Sequence, residues 1–390
     1  MRVLLLAPQP FYSERGTPIS VENLIRVMSA RGWQVDVLTY AQGSDLDLPG
    51  LTINRIPRIP GIPHVKPGFS MRKVICDAVM SVEAARLIRK NMYDLVHGLE
   101  EAVFIAAALR KLYGTPYVYD MDSLLSEQLI DRFPKLRPVR DWLRYMEKVA
   151  VSDSLGVVAV CESLAQAAEN MSERPIVARL EDRTQLGPLI EGADSLRDMT
   201  GANQTIALYV GNLESYQGID LLLDGFAKAV ARVSDLSLVI IGGSDQDLWK
   251  YRQRAFVLGI GSDVFFLGPR PIEHLRAYLE QADVLISPRI SGRNTPMKIY
   301  SFLDAGVALL ATRSPTHVQV LDDEIACLFD PDPVSLANAL VGLHESPASR
   351  ERLGQAATAR VAELYSERAY EEKAHRFLEQ IEERVETSTD

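Results

Sequence analysis

Residues 206–243 read IALYVGNLESYQGIDLLLDGFAKAVARVSDLSLVIIGG, and the order of elements in this stretch decides the fold. Ile206–Val210 is a short apolar run without alternation, as expected of a strand covered on both faces. Gly211–Gly218 reads as a loop and Ile219–Val233 as an amphipathic helix. Leu236–Ile241 is a second apolar run, closed by Gly242 and Gly243. Two buried strands joined through a helix predict a parallel βαβ unit. The start of the chain repeats the plan, with strand Arg2–Ala7, loop Gln9–Pro18, helix Ile19–Arg31 and strand Gln34–Tyr40.

Further strands are expected at Leu95–His97, Tyr117–Tyr119 and Gly156–Val160, then at Val264–Leu267, Val284–Ser287 and Ala308–Ala311. The chain therefore reads as α/β, with two doubly wound Rossmann-like domains. Met171–Gln204 is charged and weakly periodic, and holds the boundary. The domains are placed at 1–185 and 186–365, followed by a C-terminal helix at 366–390. Two such domains facing each other would place a substrate in the cleft between them.

Composition narrows the function. The formal net charge of -10 carries no global basic bias, so nucleic acid is not expected as a partner. Cys76, Cys161 and Cys327 lie far apart without metal-ligand spacing and read as reduced thiols of a cytosolic protein. The six histidines form no HExxH-type cluster, so no protein-held metal is expected. The opening MRVLLLAPQP reads as a first strand, not a signal peptide, and no run approaches the ~18 apolar residues of a membrane span. Neither half contains GxGxxG or GxxxxGK[ST], which disfavours dinucleotide oxidoreductases and P-loop nucleotidases.

The stretch SPRISGRNTPMKIYSFLDAG, residues 287–306, carries the clearest site signal. Pro288 ends a strand, Thr295 is placed to N-cap a helix with Pro296 in its first turn, and Gly306 sits just past its end. Arg289, Arg293 and Lys298 gather at that helix start, where the unpaired N–H groups also favour an anion.

Several segments together resemble retaining glycosyltransferases of family 4, which have the GT-B fold. They are the opening strand–loop–helix with Gly16, DLVHGLEEA, YVYDMDS, YVGNLESYQGIDLLLDGF, ADVLIS and NTPMKIYSFLDAGVALLAT. The resemblance implies transfer of a sugar from a nucleotide-diphosphate donor, bound by the second domain, to a glycan or lipid-linked acceptor bound by the first. It implies metal-independent chemistry without a cofactor and a last helix packing back on the first domain. Bacterial polysaccharide or envelope assembly is the setting it implies. The family's two glutamates fall on Arg293 and Ser301 here, its diphosphate-clamping arginine and lysine on or near Asn212 and Gln217, and its histidine on Asp122.

A cation about 4 Å from a phosphate contributes roughly 4 kcal/mol at an effective dielectric near 20, before desolvation. The missing clamp thus needs replacement, and Arg289, Arg293 and Lys298 on the facing loop are placed to supply it, with Asn212, Gln217, Gly243, Asn294, Thr295 and Ser301 completing the donor set. Asp304 is a further substitute for a lost carboxylate, or simply a solvated one. On the acceptor side, Asp122 and His97 are the catalytic candidates, each just past or within a buried strand. Asp120 and Asp122 are alternatively caps for the helix SLLSEQL, and Glu100 and Glu101 sit in the first turn of another helix. Gly16 marks a turn or a close ligand approach, with Arg15 beside it. His317 and Thr316 are similarly placed in the second domain.

Two basic stretches, 55–75 and 133–148, point to peripheral contact with an anionic membrane surface at the inner face, or to a solvated loop and helix. Two other functions fit the same pattern: a catalytically silent sugar-nucleotide or glycan-binding subunit, and a nucleotide-sugar epimerase.

Overall fold

The computed structural model describes the chain apart from residues 13–15, 63–64, 66–69, 202–203, 293–294 and 390, and the side chains of 388–389. It divides into two compact units, Met1–Asp182 with Tyr370–Asp390, and Arg183–Ala369.

The first unit begins β1 (Arg2–Ala7), α1 (Gly16–Ala30), β2 (Gln34–Thr39), β3 (Leu51–Arg55), α2 (Met71–Lys90) and β4 (Leu95–Leu99). It continues α3 (Ala102–Tyr113), β5 (Tyr117–Met121), α4 (Leu125–Arg132), α5 (Arg140–Asp153), β6 (Gly156–Ala159), α6 (Glu162–Met171) and β7 (Ile176–Arg179). The strands form one parallel sheet in the order β3-β2-β1-β4-β5-β6-β7. Helices α2, α3, α5 and α6 cover one face, where Met80, Ala106, Val151 and Ala168 join a single apolar core.

The second unit holds α7 (Leu196–Thr200), β8 (Thr205–Val210), α8 (Ile219–Val230), β9 (Leu236–Ile241), α9 (Asp245–Val257) and β10 (Val264–Gly268). Then come α10 (Leu275–Glu280), β11 (Val284–Ser287), α11 (Lys298–Asp304), β12 (Ala308–Thr312), β13 (Cys327–Phe329), α12 (Pro333–Glu345) and α13 (Pro347–Leu364). Its parallel sheet runs β10-β9-β8-β11-β12-β13. In each sheet the winding reverses beside the first strand, between β1 and β4 and between β8 and β11. Ligands of such sheets bind outside the carboxyl ends of the strands at that reversal.

The strands read from sequence as continuous apolar runs are present in both sheets. Three others, β3, β7 and β13, were not expected, and all three are edge strands. An edge strand is covered less completely, and LTINR and IVAR accordingly lack a continuous apolar run. Helix α1 starts at Gly16, inside the expected loop.

The chain ends in α14 (Glu367–Thr389), whose residues from Tyr370 onward belong to the first unit. Ala374, Phe377, Leu378 and Ile381 bury themselves with α1 and the sheet residues Val3, Leu5 and Val158. The packing is close: a Cβ on Gly156 would lie 2.7 Å from Ile381 Cδ1 and 2.9 Å from Phe377 Cε2. Phe377→Ala is expected to destabilise this unit by about 3–5 kcal/mol, read from the urea midpoint. A loss under about 1 kcal/mol would show that the helix contributes little to the unit.

Candidate functional site

In the second unit, the loop after β8 and the loop after β11 meet at the sheet reversal. Gly218 permits the meeting, because with φ +75 it sits where a Cβ would lie 2.0 Å from Pro288 O. Ile290 N then donates to Tyr216 O at 3.0 Å.

Lys298 opens α11, and its ammonium is buried against this junction. Nζ donates to Val210 O at 3.2 Å and lies 4.3 Å from the Tyr209 ring centroid. Among the described residues no carboxylate pairs with it. Burial, then the nearby Arg289 charge, lowers its pKa to about 7. Arg289 stacks over Tyr216, with Cζ 5.2 Å from the ring centroid, and donates from Nε to Ser291 O at 2.8 Å. Burial lowers its pKa too, though a guanidinium stays charged. Two desolvated cations thus share one corner, held by aromatic faces and carbonyls.

His317 braces that corner from below. Its Nδ1 lies 2.9 Å from Thr312 O and its Nε2 3.0 Å from Ser287 Oγ. Thr312 Oγ1 donates to Arg289 O at 2.5 Å, which ties the histidine to the arginine backbone. Burial foremost, with the Lys298 and Arg289 charges, lowers the His317 pKa to about 4, so the ring is neutral at physiological pH. This is a positioning role.

The remaining donor candidates are dispersed. Gln217 is buried in the β8 loop, and its Oε1 has no hydrogen-bond partner among the described residues. Asn212 accepts from Glu214 N at 3.3 Å and donates to Tyr216 Oη at 3.3 Å, so its side chain shapes its own loop. Gly243, with φ +85, packs where a Cβ would lie 2.5 Å from Leu213 Cδ1. Ser301 Oγ accepts from Gln185 N at 3.3 Å, and Asp304 accepts from Thr184 Oγ1 at 2.9 Å, so both serve residues 184–185. Arg293 and Asn294 lie outside the described residues, as do Arg15 and Lys66.

The expected cap is corrected. Thr295 Oγ1 donates to Thr316 O at 2.9 Å, and Met297 occupies the N-cap of α11 without a side-chain cap bond. Helix α11 is only seven residues long, so the anion argument rests on Lys298 and Arg289 and not on a helix end. Gly306 does follow the helix, in the left-handed region at φ +70.

In the first unit, carboxyl groups crowd the ends of β4 and β5. His97 lies within β4, 1% exposed, and its Nε2 meets Asp120 Oδ2 at 3.0 Å. Its Nδ1 has no hydrogen-bond partner among the described residues. Asp122 is buried just past β5; burial, then the Asp120 and Asp182 charges, pushes its pKa well above the carboxylate range despite a hydrogen bond from Thr17. Glu100, at φ +48, is pushed up by burial and by Asp122 and Glu101, while Ser123 Oγ donates to it at 2.9 Å. Burial raises Asp182 to about 6. Farther along the same carboxyl row, Asp77 rises to about 7 through burial and the Glu101 charge. Lys73 pairs with Glu101.

Three expectations change here. The backbone start of α4 is capped by neither aspartate: Leu125 N donates at 2.7 Å and Ser126 N at 3.3 Å to Glu147, a residue of α5 that the sequence reading missed. Glu100 and Glu101 precede α3, which starts at Ala102, instead of lying in its first turn. Gly16 is exposed in α1, and a Cβ there would meet nothing within 4 Å, so no tight turn requires it. Of the basic stretch 55–75, Arg55 is taken up by Asp45 and Lys73 by Glu101.

The carboxyl row predicts a pH effect on stability. An unfolded chain releases these protons near pH ~4, whereas folded Asp182 and Asp77 hold theirs to about 6 and about 7. Between those values the folded state binds more protons, so stability falls as pH rises from about 4 to about 7. The urea midpoint of the first unit is expected to be lower at about pH 8 than at about pH 5.5, and Asp182→Asn to narrow the gap. A midpoint that rises with pH and is unaltered in its slope by Asp182→Asn contradicts this.

Family models match both halves of the chain. A family model described as Glycosyltransferase Family 4 matches residues 15–177, and one described as Glycosyl transferases group 1 matches 204–346. The phosphatidyl-myo-inositol mannosyltransferase of Mycobacterium leprae is 27% identical over 358 residues, covering 90% of each chain. Sucrose-phosphate synthase from Thermosynechococcus elongatus superposes with a TM-score of 0.78 at 20% identity, over 97% of this chain and 98% of that one. Anabaena HepE in complex with UDP superposes at 0.71 and 16% identity, over 97% of this chain and 100% of that one. The two superpositions speak for a shared fold.

Proposed function

Since the chain belongs to glycosyltransferase family 4 and is a glycosyltransferase of the GT-B type, we propose that its second unit binds a nucleotide-diphosphate sugar through Lys298 and Arg289. The observation that carries this reading is the pair of half-buried cations at the sheet reversal, which among the described residues has no carboxylate partner. Among the described residues the desolvated Lys298 ammonium, its pKa lowered to about 7, has no counter-charge, and a diphosphate would supply one. Gln217 adds a neutral hydrogen bond, and Arg293, Asn294, Asn212, Thr295, Ser301 and Gly243 remain in the proposed donor set.

The acceptor is a glycan or a lipid-linked sugar or polyol, held by the first unit. In the transfer the bond from the anomeric carbon to the diphosphate oxygen breaks and a bond to the acceptor oxygen forms. The acceptor proton passes to the leaving phosphate, directly or by way of Asp122. Lys298 and Arg289 stabilise the negative charge that builds on the diphosphate, a role that needs no metal ion. Asp122 orients the acceptor hydroxyl, and its raised pKa brings it nearer to the operating pH of a proton carrier. His97 offers Nδ1 as an acceptor, because Asp120 takes the proton on Nε2.

Retention of anomeric configuration, implied by the family resemblance, completes the proposal. The anomeric coupling constant of the product tests retention, and an EDTA-insensitive rate tests metal independence. A thermal-shift screen over UDP-, GDP- and ADP-sugars tests donor binding, since a ligand at about 100 times its Kd adds roughly 2.7 kcal/mol of stability. No shift with any nucleotide sugar would remove the donor assignment. A lipid-linked acceptor also places the working enzyme at a membrane surface, with peripheral contact to anionic lipid.

A further inference from the structure

We propose that the acceptor held by the first unit carries an ammonium group, as an amino sugar or aminocyclitol does, and that the carboxyl row beyond β4 and β5 receives it. The assignment rests on the acceptor reading above and names the class of acceptor. The row is continuous in its electrostatics. The charge of Glu101 acts on Asp77 of α2, those of Glu101 and Asp122 on Glu100, and that of Asp182 on Asp122. These carboxyl groups arrive from separate segments at the carboxyl edge of the sheet, where such sheets bind ligands. Asp122 is buried, whereas Asp77, Glu100, Glu101 and Asp182 are half-buried, so the row keeps an open face.

Positive charge is scarce there. Among the described residues Lys73 is the cation whose charge reaches the row, and it is paired with Glu101. An ammonium group brings one charge and three donors, and it favours the ionised form of every carboxyl group near it. A hydroxyl in the same place donates one hydrogen bond and adds no charge, while a phosphate is repelled. Two buried polar atoms beside the row are also left open. Tyr119 is fully buried and its Oη has no hydrogen-bond partner among the described residues, although the charges of Glu100, Glu101 and Asp122 all reach it. His97 Nδ1 is unpartnered in the same way, while Nε2 meets Asp120. A finished core satisfies such atoms, so this pair marks an incomplete polar site. Among the described residues no three carboxyl or imidazole groups converge as the ligands of one metal ion must. An aminopolyol needs no such convergence, because its ammonium and hydroxyl groups meet a row one bond at a time.

Calorimetry of the full chain tests this with the octyl glycosides of glucosamine, N-acetylglucosamine and glucose, at about pH 7 where the amine is mostly charged. The glucosaminide is expected to bind at least about tenfold tighter than either counterpart. Glu100→Gln and Asp77→Asn are each expected to cut that preference about threefold or more, while the nucleotide-sugar thermal shift stays as in wild type. Each removes a carboxyl group from a like-charged cluster, so the fold is expected to withstand both. Equal binding of the glucosaminide and the glucoside overturns the proposal and leaves the acceptor reading standing. Binding of none of the three overturns both. A preference that neither variant alters places the amine elsewhere and overturns the assignment to the row. The donor site is read separately by thermal shift, so its failure is not mistaken for this one.

Discussion

Lys298→Met is expected to lower nucleoside-diphosphate affinity by about two orders of magnitude, while the empty protein stays as stable as wild type or gains stability. The two halves of this result have one cause. A cation about 4 Å from a phosphate is worth roughly 4 kcal/mol at an effective dielectric near 20, and desolvation of Lys298 has already been met in the folded chain. A net loss of about 3 kcal/mol corresponds to the hundredfold drop. In the empty site the same ammonium lies buried beside Arg289 without a carboxylate among the described residues, so an apolar chain of similar length relieves that strain. A merely structural lysine would do the reverse, destabilising the fold on replacement and leaving affinity intact.

The pH dependence follows with a definite sign. Free Lys298 has its pKa lowered to about 7, and a bound diphosphate raises it again. Nucleotide binding therefore takes up a proton above about pH 7, and affinity falls as pH rises. Calorimetry in buffers of different ionisation enthalpy reads this uptake directly, and Lys298→Met should abolish it.

Asp122→Asn is expected to lower kcat about a hundredfold or more with donor affinity unchanged. Asp122 lies just past β5, and its raised pKa derives first from burial and then from the charges of Asp120 and Asp182. The amide keeps the shape and one hydrogen-bond acceptor but cannot carry the proton. The distinguishing readout is the pH profile: wild type loses rate as pH falls through the Asp122 ionisation, and the variant loses that limb. A variant with normal kcat and an unchanged profile would remove Asp122 from the chemistry and leave it as part of the fold.

The parallel sheets were legible because central strands such as LSLVII and VLIS are buried on both faces and so are written as unbroken apolar runs. The edge strands β3, β7 and β13 escaped for the same physical reason, being short and half-covered. The cationic corner was also legible, since Arg289 and Lys298 stand in one loop and the turn after it. Its aromatic supports were not: Tyr209 and Tyr216 come from a different strand and loop, and a ring face leaves no charge signature. Thr295 looked like a cap because its type and place suit one, yet the carbonyl of Thr316 took its hydroxyl. The carboxyl row was the least visible, as Glu100, Asp122 and Asp182 arrive from three distant segments and only the fold brings them together. Glu147, capping α4 from α5, was hidden likewise.

The central claim is that this cationic corner holds the nucleotide-diphosphate sugar that the enzyme transfers to an acceptor. The most direct measurement is release of free nucleoside diphosphate from the donor identified by thermal shift, with and without lipid-linked acceptors, for wild type and Lys298→Met. The account predicts acceptor-dependent release by wild type, a new glycosidic product, and a rate at least about tenfold lower for Lys298→Met at subsaturating donor. Donor binding without any transfer across the acceptor panel, or epimerised sugar in place of a glycoside, would contradict it.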